Sequence, residues 1–145
     1  MPRKKPSGGK RPSISEVIEG RLYVVSRSDL EASHLDDITV VVDMGDVSNE
    51  SYSDDVLVIS WPTEEHVDEK VLEGIVRLCS SAMRGVDQKI LLIGSSESVD
   101  TVAACVVREY LGCSAIVAMK VLRESRPDAI NKPTLAETIV RYKPS

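Results

Sequence analysis

The chain has 145 residues, 42% of them apolar and 28% charged, which suits one globular domain with a substantial core. No apolar run approaches the ~20 residues that cross a bilayer, and no hydrophobic segment follows the basic N-terminus, so we expect neither a membrane span nor a secretory signal. The formal net charge of −5 divides into a basic tail and an acidic body, and the acidic body disfavours nucleic-acid binding.

Residues 1–12 form a tail that is basic and rich in proline and glycine. We predict that it is disordered, because it has too few apolar side chains to bury. The rest of the chain has 13 basic and 23 acidic residues, a net charge of −10, so any weak contact with a polyanion is assigned to the tail. The tail is interpreted as a nuclear-import or polyanion-binding arm, or as a solubilising terminus. Its basic residues are Arg3, Lys4, Lys5, Lys10 and Arg11.

The body alternates between strand and helix patterns. β-Branched residues predict short strands over residues 21–25, 39–43 and 56–61, with a short helix over 26–36. The unbroken apolar run at 90–93 predicts a strand in the middle of a sheet that is covered on both faces.

Longer helices follow the third predicted strand. Gly112 is placed to end one helix in a left-handed conformation, Ser114 to cap the next, and Pro133 to begin the last. The fold class is therefore α/β, with a central, mostly parallel twisted sheet flanked by helices. The predicted helices run from His66 to near Gly85, from Val99 to Leu111, from Ser114 to Arg126 and from Pro133 to Tyr142.

The cysteines and histidines show no metal-binding pattern. Cys79, Cys105 and Cys113 form no Cys-x-x-Cys pair and stand among apolar residues, so we predict reduced core thiols. His34 and His66 lack the spacing of metal ligands. We expect no metal site and no cofactor.

The stretch 89–101 is the most informative part of the chain, since it combines a buried strand, a loop of small residues and a helix start. Ligands of open α/β sheets usually bind at such a strand end. A dinucleotide fingerprint would need glycine at Ser96 and Val99, and a nucleophile elbow would need glycine at Ser98. The Gly-Lys-Ser/Thr of a Walker loop is also absent.

Four further segments stand around this loop. They are residues 18–23 (Ile-Glu-Gly-Arg-Leu-Tyr), 35–42 (Leu-Asp-Asp-Ile-Thr-Val-Val-Val), 59–62 (Ile-Ser-Trp-Pro) and 118–127 (Ala-Met-Lys-Val-Leu-Arg-Glu-Ser-Arg-Pro). With the loop, and in this order, they resemble the dual-specificity protein phosphatase family. The resemblance covers about residues 13–143 and implies the three-layer α/β sandwich of that family.

The family's signature is Val-Leu-Val-His-Cys, two residues, Gly, two residues, Arg and then Ser or Thr. In this chain the histidine position is Ile93, the cysteine is Gly94, the glycine is Glu97, the arginine is Asp100 and the last position is Thr101. Only Thr101 matches the signature. The degenerate phosphate loop comprises Ile93, Gly94, Ser95, Ser96, Glu97, Ser98, Val99, Asp100 and Thr101.

These replacements remove the family's chemistry. The family reaction needs a thiolate of low pKa that attacks phosphorus, and Gly94 offers no nucleophile. Asp100 replaces the arginine that grips the phosphoryl oxygens, and Glu97 adds a second negative charge. For unit charges ~4 Å apart at an effective dielectric constant near 20, attraction becomes repulsion of roughly 4 kcal/mol.

No other residue is expected to restore catalysis. The general acid of the family should follow Pro62 closely, where Glu64 and Glu65 are the candidates, but it would have no reaction to assist. The loop serines have no histidine beside them in sequence. Ser98 could cap the following helix, with Asp100 in its first turn, so that Glu97 or Asp100 takes the place of the lost phosphate.

The resemblance implies a catalytically inactive, STYX-type pseudophosphatase that acts as a protein-interaction, scaffolding or regulatory module. Its partners would be proteins, such as phosphatases or components of kinase pathways, and it would work in the cytoplasm or the nucleus. Trp61 and the basic tail are the candidate partner contacts. The alternatives are an active phosphatase with non-standard chemistry and a subunit that binds a polyanion through its tail.

Overall fold

The computed structural model describes residues 14–26, 38–44, 56–61 and 69–144. They form five strands and four helices. The strands are β1 (Ser15–Ile18), β2 (Leu22–Ser26), β3 (Val40–Met44), β4 (Leu57–Trp61) and β5 (Ile90–Gly94). The helices are α1 (Glu69–Met83), α2 (Ser96–Leu111), α3 (Ala115–Ser125) and α4 (Pro133–Arg141).

The strands form one mixed sheet in the order β1-β2-β5-β3-β4. β2, β5, β3 and β4 run parallel, and only β1 is antiparallel to its neighbour. β5 lies in the middle, with Ile90 paired to Leu22 on one side and to Val40 on the other. The α/β class and the mostly parallel sheet flanked by helices are confirmed, and every residue of β5 is buried, as its apolar run predicted.

β1 was not predicted as a separate strand. It has four residues, and only Val17 among them is fully buried, so its pattern is too short to stand out. A turn with Gly20 at φ 72° joins it to β2. Arg21 donates its backbone N–H to the carbonyl of Ile18 at 2.9 Å in this turn.

Two other predictions fall wholly or partly outside the described residues. The short helix predicted over 26–36 fails at its first residue, because Ser26 still pairs with Gly94 in the sheet. Its other residues lie outside the described ranges, as does the helix start predicted at His66. The described part of that helix, α1, begins at Glu69.

The local signals at the ends of the later helices are confirmed. Gly112 ends α2 with φ 65°, where a left-handed conformation favours glycine. Ser114 caps α3 by accepting a hydrogen bond from the backbone N–H of Val117 at 3.2 Å. Pro133 begins α4.

The core has two parts, one on each face of the sheet. The larger part joins one face of the sheet to apolar side chains of all four helices, including Val76, Val106, Leu122 and Ile139. The smaller part lies on the opposite face and centres on Tyr23, Val25, Val41, Leu91 and Ile93. None of the described helices is long and apolar enough to span a bilayer.

Arginine side chains bind backbone carbonyl groups where helices end. Arg21 donates to the carbonyls of Met83 and Gly85 at 2.9 and 2.6 Å, and so ties the end of α1 to the start of β2. Arg123 donates to the carbonyls of Ala129 and Ile130 at 3.0 and 2.8 Å, within the loop after α3. These bonds satisfy carbonyl groups that a helix end or a loop leaves without partners.

Arg108, in helix α2, likewise donates hydrogen bonds to backbone carbonyl groups at the end of α4. Its guanidinium donates to the carbonyls of Ile139 at 2.9 Å, Tyr142 at 2.6 Å and Cys113 at 3.2 Å. One side chain therefore joins the end of α2 to the end of α4. A cation near the carboxyl end of a helix is also favoured by the helix dipole.

We predict that Arg108→Met lowers the free energy of unfolding by about 2–4 kcal/mol, because hydrogen bonds from a charged donor are each worth about 1.5–3 kcal/mol and do not add fully. Urea unfolding followed by circular dichroism measures this loss. Arg77→Met is the matched control, since Arg77 makes an exposed ion pair with Glu73. Equal stability of the two variants would contradict the role given to Arg108.

Candidate functional site

The degenerate phosphate loop has the predicted strand, loop and helix layout. β5 ends at Gly94, which still pairs with Ser26 of β2. Ser95 follows with φ −66° and ψ 154°, and α2 begins at Ser96. The loop therefore lies at the carboxyl end of the central strand, where ligands of open α/β sheets bind.

Gly94 has no room for a side chain. A Cβ atom built on this residue would lie 2.9 Å from the carbonyl oxygen of Met44, 3.2 Å from the Cβ of Met44 and 3.4 Å from Cγ1 of Val99. The first distance is shorter than real Cβ contacts, and the obstacle is backbone. The need for glycine here is therefore spatial, because β3 and α2 approach closely at this point.

The cap of α2 differs from the prediction. Ser95 is the N-cap, and its Oγ accepts a hydrogen bond from the backbone N–H of Ser98 at 3.2 Å. The two hydroxyl groups are also hydrogen-bonded to each other at 3.0 Å. The expectation that Ser98 caps the helix was wrong, because the helix begins earlier than the apolar pattern indicated.

Asp100 is buried and bonded to a cation. Its side chain is 8% exposed, and its Oδ1 accepts a hydrogen bond from Nε of Arg126 at 2.5 Å. Arg126 also donates through Nη1 to Oγ of Ser15 at 3.3 Å. The Asp100–Arg126 pair thus joins α2 to the end of α3 and to β1.

The expectation that Asp100 lies in the first helical turn was therefore wrong, whereas Glu97, the alternative, does lie in that turn. Asp100 lies one turn further along α2, and its carboxylate is directed to Arg126. Burial raises the pKa of the Asp100 carboxyl above its usual value, and the positive charge of Arg126 opposes that rise.

Glu97 occupies the first turn of α2 and has a second cation as its partner. Its carboxylate forms an ion pair with Nζ of Lys132, in the loop before α4. About half of each side chain is exposed, so this pair contributes little to stability. It still places the ammonium group against an acid of the loop.

Both ion pairs border a cavity of about 420 Å³ between the start of α2 and the loop that joins α3 to α4. Its charged lining residues are three acids and two bases, so the surface is negative by one charge. The charged residues are Glu97, Asp100, Asp128, Arg126 and Lys132.

Thr101 is the one signature residue that matches the family, and its hydroxyl is used within the helix. It donates a hydrogen bond to the carbonyl of Glu97 at 2.8 Å, and the side chain is buried. Val99 is also fully buried and packs in the larger core. The second half of the degenerate loop therefore serves the packing of α2.

The thiols behave as core side chains, as predicted. Cys79 and Cys105 are buried, and burial raises the pKa of each thiol to about 12. Cys113 is half-buried, and burial again raises its pKa. At neutral pH these groups are thiols and not thiolates, so they are poor nucleophiles.

The remaining predicted site residues are only partly described. Trp61 is the last residue of β4 and pairs with Met44 of β3 in the parallel ladder. Glu64, Glu65 and the tail over residues 1–12 lie outside the described residues. Within the described ranges, no three His, Cys, Asp or Glu side chains are grouped closely enough to hold a metal ion.

Sequence reasoning missed the partners of the loop. Met44 limits the space at Gly94, Arg126 pairs with Asp100, and Lys132 pairs with Glu97. A signal for Arg126 existed, because a buried acid such as Asp100 needs a compensating positive charge. The exposed pair of Glu97 with Lys132 gave no such signal. The contact with Met44 had none, since it depends on backbone approach.

Solved structures of phosphatases share this architecture. Human DUSP28 has 17% sequence identity to this chain and a TM-score of 0.71, with 91% of this chain and 93% of that chain covered. DUSP15 has 14% identity and a TM-score of 0.70, with 89% and 86% covered. The fold is that of the dual-specificity phosphatases.

The human tyrosine phosphatase-like serine/threonine/tyrosine-interacting protein has the same fold. It is 10% identical to this chain with a TM-score of 0.71, and 91% of this chain and 96% of that chain are covered. No protein-family model matches this sequence, and no curated protein matches it. At these identities the likeness shows the fold alone.

Gly94→Ala is predicted to destabilise the protein by about 1–3 kcal/mol, because the new methyl group would overlap the carbonyl oxygen of Met44. Gly74→Ala is the matched control. A Cβ at Gly74 meets nothing within 4 Å in the middle of α1, so it should stabilise by about 0.5–1 kcal/mol. Thermal unfolding measures both, and a gain from Gly94→Ala would contradict the close approach.

Arg126→Met should lower the free energy of unfolding by about 3–5 kcal/mol, since it leaves the Asp100 carboxyl buried without its partner. The double variant Arg126→Met with Asp100→Leu should recover most of this loss, because neither charge then remains buried. Urea unfolding at neutral pH checks both values. Lys132→Met, which breaks an exposed pair, should cost less than about 1 kcal/mol, and an equal cost for Arg126→Met would refute the burial argument.

Proposed function

We propose that the protein is a catalytically inactive pseudophosphatase that acts by binding other proteins, as an interaction, scaffolding or regulatory module. The observation that carries this proposal is the space at Gly94. The residue that stands at the position of the family's nucleophile has no side chain, and the backbone of Met44 fills the volume that a Cβ would need. The phosphatase reaction therefore lacks both a nucleophile and a place to hold one.

No described cysteine supplies a replacement nucleophile. Cys105 is in α2 beyond the loop, fully buried, with its pKa raised to about 12. Ser95 and Ser98 are hydrogen-bonded to each other, and their bonds cap the helix. A serine nucleophile needs an adjacent general base, and neither of these bonds involves one.

The electrostatics of the loop support the same conclusion. A phosphoryl group needs positive charge, but Asp100 and Glu97 add negative charge at the start of α2. The cations that approach them are already paired, Arg126 with Asp100 and Lys132 with Glu97. A phosphate would have to displace these carboxylates and would also be repelled by them.

The proposed role is association with proteins in the cytoplasm or the nucleus, with phosphatases or members of kinase pathways as candidate partners. The fold is shared with a human protein whose name describes it as phosphatase-like and interacting. A second candidate function is polyanion binding by the tail. The tail favours it because residues 1–12 carry five basic side chains and no acid.

Purified protein should hydrolyse para-nitrophenyl phosphate no faster than buffer, and Gly94→Cys alone should not change this. The triple variant Gly94→Cys, Glu97→Gly and Asp100→Arg would place a new arginine near Arg126, which then has no acidic partner, so we expect it to remain inactive as well. Absorbance of the released phenolate measures turnover. Vanadate-sensitive turnover by the wild-type chain or by the single variant would overturn the proposal.

Two further measurements test whether the loop binds phosphate and which part of the chain binds other proteins. Titration with inorganic phosphate, followed by the amide NMR shifts of residues 94–101, should show no saturation below millimolar concentration. Saturable sub-millimolar binding would show that the loop still accepts an anion. Affinity purification with the full chain and with a chain that lacks residues 1–12 separates association through the tail from association through the domain.

A further inference from the structure

The two edges of the sheet are protected very differently. β1 forms one edge, and it carries the devices that prevent an edge from pairing with another strand. It has four residues, a register shift between Glu16 and Ile18, and a charged side chain at Glu16. α3 packs against it, and Ser15 is bonded to Arg126.

β4 forms the other edge and has none of these devices in its own sequence. Its five residues, 57–61, include no charge, no proline and no glycine. Its register with β3 is regular over all five pairs. Leu57 is 56% exposed and Val58 is 39% exposed, so apolar side chains face solvent from successive positions, which point to opposite faces of the sheet. Such an edge favours pairing with another extended chain.

The side of β4 that faces outwards follows from one hydrogen bond. The backbone N–H of Leu57 donates to the carbonyl of Thr39 at 2.9 Å, so the backbone groups of Leu57 are directed towards β3. Successive residues of a strand direct these groups to opposite sides. The N–H and C=O groups of Val58 and Ser60 therefore point away from the sheet, and none of the strands that the structure describes lies on that side.

We infer that β4 is the docking edge for an extended segment of a partner protein, which adds a sixth strand to the sheet. The segment pairs with the backbone of Val58 and Ser60, and its alternate side chains are apolar and cover Leu57 and Val58. Lys or Arg residues flank the apolar stretch at both ends. This inference deepens the proposed function, since it names the surface and the chemistry of the partner.

The charge of the partner follows from the sequence on both sides of β4. Asp54 and Asp55 precede the strand, and Glu64 and Glu65 follow it. Along the chain these acids stand two to four residues from the ends of β4. Basic flanks on the incoming segment are therefore attracted, and added salt screens that attraction.

The same acids disfavour a second copy of this chain as the occupant. If two β4 strands paired antiparallel about Ile59, Asp54 of one copy would align with Glu64 of the other, and the alignment repeats at the opposite end. Like charges in these positions destabilise pairing. The chain's own tail is a poor occupant too, since its prolines cannot donate to the ladder and it has no large apolar side chain beyond Met1 to cover Leu57.

The test uses the full chain and a fluorescein-labelled peptide, Lys-Lys-Val-Thr-Val-Thr-Val-Lys-Lys, with fluorescence anisotropy as the readout. We expect saturable binding that weakens at least tenfold in Val58→Lys and in Ser60→Pro, and that weakens as salt is raised. Val86→Lys is the matched control, because Val86 is 80% exposed and lies outside β4. A peptide with proline at its centre, Lys-Lys-Val-Thr-Pro-Thr-Val-Lys-Lys, should bind at least tenfold more weakly.

Several results would overturn the inference. Equal binding by Val58→Lys and the wild-type chain, with both folded by circular dichroism, would exclude the β4 edge. Dimerisation in sedimentation that Val58→Lys abolishes would identify a second copy as the occupant, and tighter peptide binding after removal of residues 1–12 would identify the tail. Absence of peptide binding would exclude β4 as a docking edge. It would leave the proposed catalytic inactivity intact, because the turnover assay tests that proposal separately.

Discussion

The close approach of β3 and α2 to Gly94 is the constraint on which the rest of the site depends. The carbonyl of Met44 and the side chain of Val99 occupy the space beside this residue, so the end of β5 is packed as core. In a cysteine phosphatase the same place must hold a side chain that reaches a ligand. Here the central strand ends in buried contact with its neighbours, because Gly94 lies against Met44 and Val99.

The arginine side chains near the helix ends are also occupied by contacts within the protein. A phosphate site needs an arginine whose donors are available, whereas the described arginines nearest to helix ends donate to the protein's own groups. Backbone carbonyl groups accept hydrogen bonds from Arg21, Arg108 and Arg123. The side chains of Asp100 and Ser15 accept hydrogen bonds from Arg126. Positive charge is thus used to join helices to one another and to the sheet. The buried carboxylate of Asp100 has its counter-charge within the protein, from Arg126.

The sequence predicted those features that depend on neighbouring residues. The apolar run of β5, the glycine after α2 and the serine before α3 each act within one turn or one strand. Ser98 was predicted as the N-cap of α2, but Ser95 is the N-cap in the structure. Both are small polar residues, and only the position at which β5 ends decides between them. The pairing of Asp100 with Arg126 spans 26 residues, and no local pattern encodes it. Long-range contacts of this kind depend on how the helices pack, which periodicity does not specify.

The two edges of the sheet differ, and the β4 edge is a better candidate for a functional surface than the degenerate phosphate loop. The end of β5, where related folds bind ligands, is filled here by the backbone of Met44 and the side chain of Val99. β4 exposes apolar side chains beside backbone groups that pair with none of the described strands. An edge that aggregates is a liability in any protein, and natural sheets usually shorten, bend or charge it. β1 follows that rule within the same molecule. In β4 the charges stand outside the strand, at Asp54, Asp55, Glu64 and Glu65, where they oppose a second copy of this chain and attract the basic flanks of the inferred partner.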